Sequence, residues 1–576
     1  MEWARSISNR YGTISALATM GIILLACSGE SVIAQQEKKN NERDTAVGVA
    51  QKRKPNDRGG RDKPRRGENP PSPARAAEPD DSPVDLARKT YQDNGGTVKR
   101  QPRIMAPVNV EPVQLNSSGE NDREKIQVGK YAGFESAMLA RQPFYAEGTF
   151  GIFTTAGLRL NYIGTSWPYD YSAQIKFAST NGFVTNARRT SVEAGANGGY
   201  VIGDNYGIFS GGHMGGEISY GNDRYTLYTL NPAPERRNER WKIGASGRNS
   251  YKGTTFDLKG NYRSLAMTGD SAAAERTLGG EASVSTGWLG LTVGGGANLQ
   301  LTTLKGTAIN YGRVNLFAAY TSAYFKIQAG ANGDFAGNSD GTSSDKILPS
   351  AELQLYPLRG ITLSAGISGG INPLSLQRLL DNNPYVSSNP LVRHEVEGLG
   401  YRAAVRIEPW ESFGLRLLGS RRNYDNYSYF SARTSGTFNP QYDVATVTSG
   451  TGDLYWQIDG DDLLALIATY NDGKLGASGT RIPYLPAIDA EAMYGRRLSN
   501  IPLSITATLH YIGERTGATD TLSKPVALIN LKGRYTISGH FDAMIELDNI
   551  IDQQYELWSG YGERGIFGSI GIAVRY

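Results

Sequence analysis

From about residue 148 to the end, apolar and polar positions alternate along the chain. In 566–576, Ile566, Gly568, Ile570, Ile572, Val574 and Tyr576 share one face, and Phe567, Ser569, Gly571, Ala573 and Arg575 share the other. A period of two is the mark of a strand with one face against an apolar medium. The pattern recurs in Leu503, Ile505, Ala507, Leu509 and Tyr511 against Ser504, Thr506, Thr508 and His510. It recurs in Ala527, Ile529, Leu531, Tyr535 and Ile537 against Asn530, Lys532, Arg534 and Thr536, and in Tyr401, Ala403, Val405 and Ile407 against Arg402, Arg406 and Glu408. Leu158, Leu160 and Tyr162 oppose Arg159 and Asn161 near the start.

A soluble sandwich alternates too. Three further features favour a membrane barrel. The segments run to roughly 9–13 residues, the length of a tilted membrane strand rather than of a soluble one. Connections alternate short (356–360, 409–411, 458–461) and long (333–347, 372–398, 431–442, 513–524), as in barrels with tight periplasmic turns and long outer loops. Trp288, Trp410 and Trp456 fall near the short turns; Trp167, Trp241 and Trp558 fall near the long loops, as two interfacial girdles require. In lipid every backbone N–H and C=O must pair internally, so an all-strand span has to close. The expected fold is an all-β transmembrane antiparallel up-and-down barrel of about 22 strands over 148–576. An even count places both ends of the barrel on the periplasmic side.

Composition agrees. Gly is 70 and Tyr 33 of 576 residues, charged residues are 20%, and mean hydropathy is −0.40, which suits neither a helical membrane protein nor a doubly wound enzyme. Residues 1–34 read as an export signal, with Arg5 and Arg10 before an apolar core at 14–26. Two processing readings stand side by side: cleavage after Ala34, or a lipobox ending at Cys27, the chain's one Cys, with lipidation there. Residues 35–104 hold 17 Lys and Arg, 11 Asp and Glu, eight Pro and one aromatic, Tyr91. Such a segment buries too little apolar surface to offset its ordering entropy, and is expected to be a disordered basic tether in the periplasm. The +4 of the whole chain is thus a basic tail on a near-neutral body. Behind an export signal, Lys52-Arg53-Lys54 and Arg65-Arg66 read as part of a solvated tether rather than as a nucleic-acid site, with contact to an acidic partner or the cell wall as the sharper alternative.

The last hairpin carries a family signal. It reads Leu547-Asp548-Asn549-Ile550-Ile551-Asp552-Gln553-Gln554-Tyr555, then Gly560-Tyr561-Gly562-Glu563-Arg564-Gly565, then the strand ending at Tyr576. This resembles the end of TonB-dependent outer-membrane receptors: an Asn-Leu-x-Asp-x-x-Tyr stretch, a Gly-Tyr-Pro-x-x-Gly loop and a terminal aromatic. Asn389-Pro390-Leu391, followed by Glu395-Val396-Glu397-Gly398-Leu399-Gly400-Tyr401, resembles a second motif of that family. The resemblance implies a 22-strand barrel that binds or imports a solute across the outer membrane and meets a TonB-like protein through its N-terminal extension. The sequence departs from the family at Gly562, where Pro is usual. It shows no TonB box, and only 105–147 stands where a large plug is expected. That pre-barrel segment and the long loops are expected to occlude the lumen in part. Two alternatives stay open: a passive porin-like channel, and a non-transport anchor or assembly barrel with a periplasmic partner.

Other chemistry is sparse. No phosphate-binding loop occurs, and Gly294-Gly295-Gly296 reads as barrel wall. His213, His394, His510 and His540 are scattered, and no cofactor is expected. The acidic runs 459–462 and 340–345 suit either calcium or turns. The binding candidates are loop aromatics and their arginines: Tyr424, Tyr427, Tyr429 and Phe430 beside Arg421 and Arg422, and Tyr385 with Arg393 in the longest loop. Rings and guanidiniums together suit a planar or anionic ligand or a sugar; the alternative is an interfacial girdle touching outer-membrane lipids.

Overall fold

The computed structural model describes residues 143–576, apart from 204–205, 434–435, 477 and 518–521. The expected signal, tether and nearly all of the pre-barrel segment, Cys27 included, lie outside the described residues.

Twenty-two strands form one sheet. Each pairs antiparallel with its neighbours along the chain, and the first, Phe144–Gly151, pairs with the last, Phe567–Arg575, from Tyr145↔Arg575 to Gly151↔Ser569. The expected up-and-down barrel is therefore closed. Its strands run from 8 residues in Phe144–Gly151 to 20 in Phe413–Ala432.

The period of two sorts the two faces. In the last strand Ile570 and Ile572 are 65% and 59% exposed on the outside, while Ser569, Ala573 and Arg575 are buried within. Leu258, Leu278, Leu299, Leu316 and Ile545 continue the outward apolar belt around the ring. A closed barrel with such a belt is an outer-membrane structure.

One rim holds tight turns and both ends of the barrel, where Phe144 and Tyr576 exchange backbone hydrogen bonds of 3.2 and 3.0 Å. Lys252-Gly253 and Leu289-Gly290 turn there with both φ angles positive (48° and 81°; 49° and 79°), the mirror-image turn that matches strand twist and needs Gly at its second place. The exception on this rim is the connection 202–212. The opposite rim carries the long connections 373–394, 476–487, 513–525 and 549–566.

Three expectations need correction. The loop expected at 333–347 is only 338–342, because pairing continues to Gly337↔Ser343. The loop expected at 431–442 shrinks to 433–437, since Phe430↔Pro440 and Ala432↔Phe438 still pair. Trp167 lies at the tight-turn rim, in the two-residue turn between Thr155–Ser166 and Tyr169–Thr180, not beside a long loop. Trp288, Trp410 and Trp456 share its rim, and Trp558 lies in a long loop at the other.

At a strand spacing of about 4.8 Å and a tilt near 40°, 22 strands enclose a ring roughly 40–45 Å across. Wall side chains cannot fill that width, so the long connections decide what crosses the mouth.

Candidate functional site

The longest connection, 373–394, folds inward. Its one helix, Leu376–Asn382, is capped by Ser375, whose hydroxyl accepts from the Arg378 N–H. Glu275, on the inner wall, accepts from the N–H groups of Leu376 (2.5 Å) and Gln377 (3.2 Å), which a helix start otherwise leaves unpaired. Leu374, Leu376, Leu379, Leu380, Val386 and Val392 pack against inward-facing Leu265, Met267, Ala273, Leu304 and Ile309. This is a small hydrophobic core between a loop and the inside of a barrel.

Polar ties fix it. Arg236 is fully buried; it grips Asp270 through two nitrogens (2.9 and 2.7 Å) and donates to the carbonyls of Pro384 (3.2 Å) and Val386 (2.7 Å). Tyr225 donates to the Pro384 carbonyl as well. At the neck of the loop His394 Nδ1 accepts from the Leu374 N–H at 3.0 Å, joining its two ends. Burial holds the His394 pKa down to about 4, so the ring stays neutral and Nδ1 stays an acceptor. Arg393 pairs with Asp340 at 2.6 Å, and its N–H donates to the Tyr442 hydroxyl.

The tip of this loop reaches across the mouth. Tyr385 stacks on Tyr561 of the last loop, centroids 3.5 Å apart and planes 13° apart. Tyr225 meets Tyr385 edge-on, and Tyr228 meets Tyr561 edge-on. The Tyr385 carbonyl accepts from the Phe438 N–H, and Val386 bridges Phe438. The Tyr561 hydroxyl donates to the Gly436 carbonyl at 2.7 Å. Tyr225 lies on the fifth strand, His213–Thr226, and Phe438 on the sixteenth, Phe438–Gln457. These strands are eleven places apart in a ring of 22, and the loop tip, with Tyr385 at its centre, ties their mouth ends together. Burial raises the pKa of the Tyr385 and Tyr561 phenols, so the bridge is neutral.

The expected site residues divide. Tyr385 is the centre of the bridge, and Arg393 holds the neck. Phe430 packs edge-on against Trp558 at 5.4 Å. Tyr424 and Tyr427 are buried with Ala445, Leu475 and Ile482, and Tyr429 packs beside them; this is loop-supporting core. Arg422 faces inward toward Glu397, at 3.9 Å. Arg421 is exposed on the outer face, opposite exposed Tyr401, in the girdle position. The structure thus does not bring the eight residues into one cluster. Sequence reasoning missed Arg236, Tyr225, Tyr228, Phe438 and the role of Tyr561, although Tyr561 stands inside the terminal motif. The acidic runs serve turns: Asp459 accepts from the N–H groups of Asp461 and Asp462, and Asp340 from that of Thr342.

No family model matches the chain, and no curated protein does. Solved structures do. The iron transporter FrpB of Neisseria meningitidis (F3-3 variant) superposes with a TM-score of 0.60 at 10% identity, over 75% of this chain and 81% of that one. The siderophore receptor PiuA of Acinetobacter baumannii gives 0.59 at 11%, over 75% and 81%. The copper transporter OprC gives 0.56 at 13%, over 75% and 80%. At such identities the likeness is one of fold: in its barrel this chain resembles the TonB-dependent receptors, as its terminal motif implies.

Proposed function

We propose that this protein is an outer-membrane receptor barrel that binds a solute at its long-loop mouth and admits it when the bridge opens. The observation that carries this reading is the tyrosine bridge between distant strands, with the in-folded loop beneath it. A passive channel needs a standing aperture, whereas here a loop crosses the mouth and is held by a small number of breakable contacts. The structural neighbours transport iron or copper or receive a siderophore, so uptake fits the fold, while their differing cargoes leave the solute to be read from this chain's own residues. The opening force is assigned to a TonB-like periplasmic partner acting through the N-terminal extension, on the tight-turn side where the barrel begins.

Ion conductance of the full-length protein in a planar bilayer tests the reading. The expected result is near silence, with steady conductance in the Tyr385→Ala, Tyr561→Ala double variant. Large steady conductance of the unmodified protein would replace the receptor by a porin-like channel. Silence in both, with a periplasmic protein that co-purifies, would favour the anchor or assembly barrel.

A further inference from the structure

One sector of the barrel's outer face carries a cluster of arginines near the mouth. Alternation turns Arg224, on His213–Thr226, Arg237, on Glu235–Tyr251, and Arg276, on Ala273–Trp288, to the lipid side, in step with exposed Ile218, Ile243 and Leu278. Arg188, also exposed, precedes the strand Arg189–Val201, and its carbonyl accepts from the Thr226 N–H. Strand tilt levels the four. The row of paired residues through Tyr251, the end of its strand, meets Thr286 two strands on and Ala318 four strands on, both short of their strand ends at Trp288 and Thr321. Rows therefore climb toward the mouth as strand number rises, by roughly 3 Å per strand at a tilt near 40°. Arg224 and Arg237 share a row, and Arg276 lies in the row of Trp241, two strands further up the slope. The four guanidiniums thus follow the ring at one height, within roughly 5 Å, above the Tyr220–Trp241 ring pair. Two carboxylates face them. Glu235 pairs with Arg224 at 3.2 Å, and Glu239 with Arg237 at 3.2 Å while also accepting from the Trp241 indole at 3.4 Å. The Asn222 amide, turned oxygen-first, accepts from Arg237 at 3.0 Å. Nearby Asp223 and Asp270 are held by Arg189 and Arg236 from the inner side, at 2.8 and 2.7 Å. Arg188 and Arg276 make no ion pair among the described residues.

An aromatic girdle marks the level of lipid headgroups, and a guanidinium just above it offers a fork of N–H donors that matches a phosphate. We propose that Arg188, Arg224, Arg237 and Arg276 form a binding surface for a multiply phosphorylated, acylated lipid of the outer leaflet. One phosphate lies between Arg188 and Arg224 and another between Arg237 and Arg276, while the acyl chains run down the bare wall along Ile218, Ile243, Leu258 and Leu278. The midpoints of the two arginine pairs are two and a half strands apart, roughly 15 Å around the ring, a span for two phosphates on one headgroup and too wide for a single phosphodiester. Glu235 and Glu239 steady the middle two arginines and leave the outer two to the phosphates. Placement in the outer leaflet rests on the receptor reading, which puts the long loops outside, but lipid retention is measured apart from uptake, so the two fail separately.

The test is native mass spectrometry of the delipidated full-length protein in detergent, titrated with bis-phosphorylated lipid A and, separately, with the same lipid stripped of both phosphates. Gel mobility with and without heating reports that each variant's barrel is closed. The expected result is one bis-phosphorylated lipid held per barrel, with the stripped lipid held far more weakly. Arg188→Gln and Arg276→Gln are each expected to weaken retention about fivefold, the effect of one basic residue at an anionic surface. Lys474→Gln, on the outer face of Asp462–Leu475 and paired with Asp472 at 3.0 Å, is expected to leave it unchanged. Equal retention of the two lipids overturns the proposal, as does an equal loss at Lys474, which would reveal only the general charge of the rim. Displacement of the lipid by an equimolar amount of inorganic pyrophosphate also overturns it, reducing the surface to a site for free anions.

Discussion

The strand Thr254–Thr268 shows two interiors within one wall. Toward the tight turns its inward residues are Asp257, Lys259, Asn261 and Arg263; toward the mouth they are Leu265 and Met267. Lys259 is half exposed and shares its charge with Asp257 and Glu281, as Lys176 does with Glu193 and Lys242 with Glu217 on earlier strands. Leu265 and Met267 are 2% and 1% exposed beneath the loop. The outward face carries Phe256, Leu258 and Tyr262 along the lower part and Ser264, Ala266 and Thr268 toward the mouth. A barrel strand therefore declares where a loop lands: its inner face changes from polar to apolar.

Breaking the dry half should cost much and the wet half little. The largest effect is expected from Arg236→Ala. It strands the partly covered Asp270 and two loop carbonyls, and should destabilise the in-folded loop by about 3–5 kcal/mol. Hydrogen exchange at 383–388 should accelerate accordingly while the barrel amides stay protected. Leu379→Ala removes a fully buried side chain from the loop core and should cost about 2–5 kcal/mol in the same exchange measurement. Acid should act next. The closed loop keeps His394 neutral, with a pKa of about 4, whereas an opened loop would take up a proton below about 6.5. Closure is then fully supported above that value and weakens by roughly 3 kcal/mol as pH falls to 4. Exchange at 374–394 should rise across that window, and His394→Gln should flatten the dependence. Tyr385→Leu keeps apolar bulk but loses the stacked geometry, worth about 1 kcal/mol, and should raise bilayer conductance modestly. Lys259→Ala, in the wet half, should change stability by less than about 0.5 kcal/mol in thermal unfolding; a larger loss there would erase the distinction between the halves.

Much of the barrel was legible because one physical rule, alternation against lipid, writes itself into every strand. The strand number and the closing hairpin followed from it and from the terminal motif. Parity also carried unused information. Arg421 and Arg422 are adjacent in one strand, so only one of them could face the lumen. Tyr424 and Tyr427 are a different matter: three residues apart, they both face inward only because a bulge between them resets the parity, and nothing in their identity announces a bulge. Loop lengths were overestimated at 333–347 and 431–442 because strands that rise past the membrane lose the apolar outer face by which they are recognised. The site itself was half visible. Tyr385 could be picked as a loop aromatic, but its partners, Tyr225 and Tyr561, are remote in sequence and meet it only through closure of the ring.

The tyrosine bridge has a mechanical side. A wall one strand thick, bent into a ring, ovalises easily, whereas a tie between the mouth ends of distant strands restrains it. The rings from Tyr225 through Tyr385 and Tyr561 to Phe438 form a short spoke of that kind, held by face and edge contacts and by hydrogen bonds to the loop backbone rather than by ion pairs. A flat molecule sliding between Tyr385 and Tyr561 would lengthen the spoke by about one ring thickness and so report its arrival, as strain, to two distant strands at once.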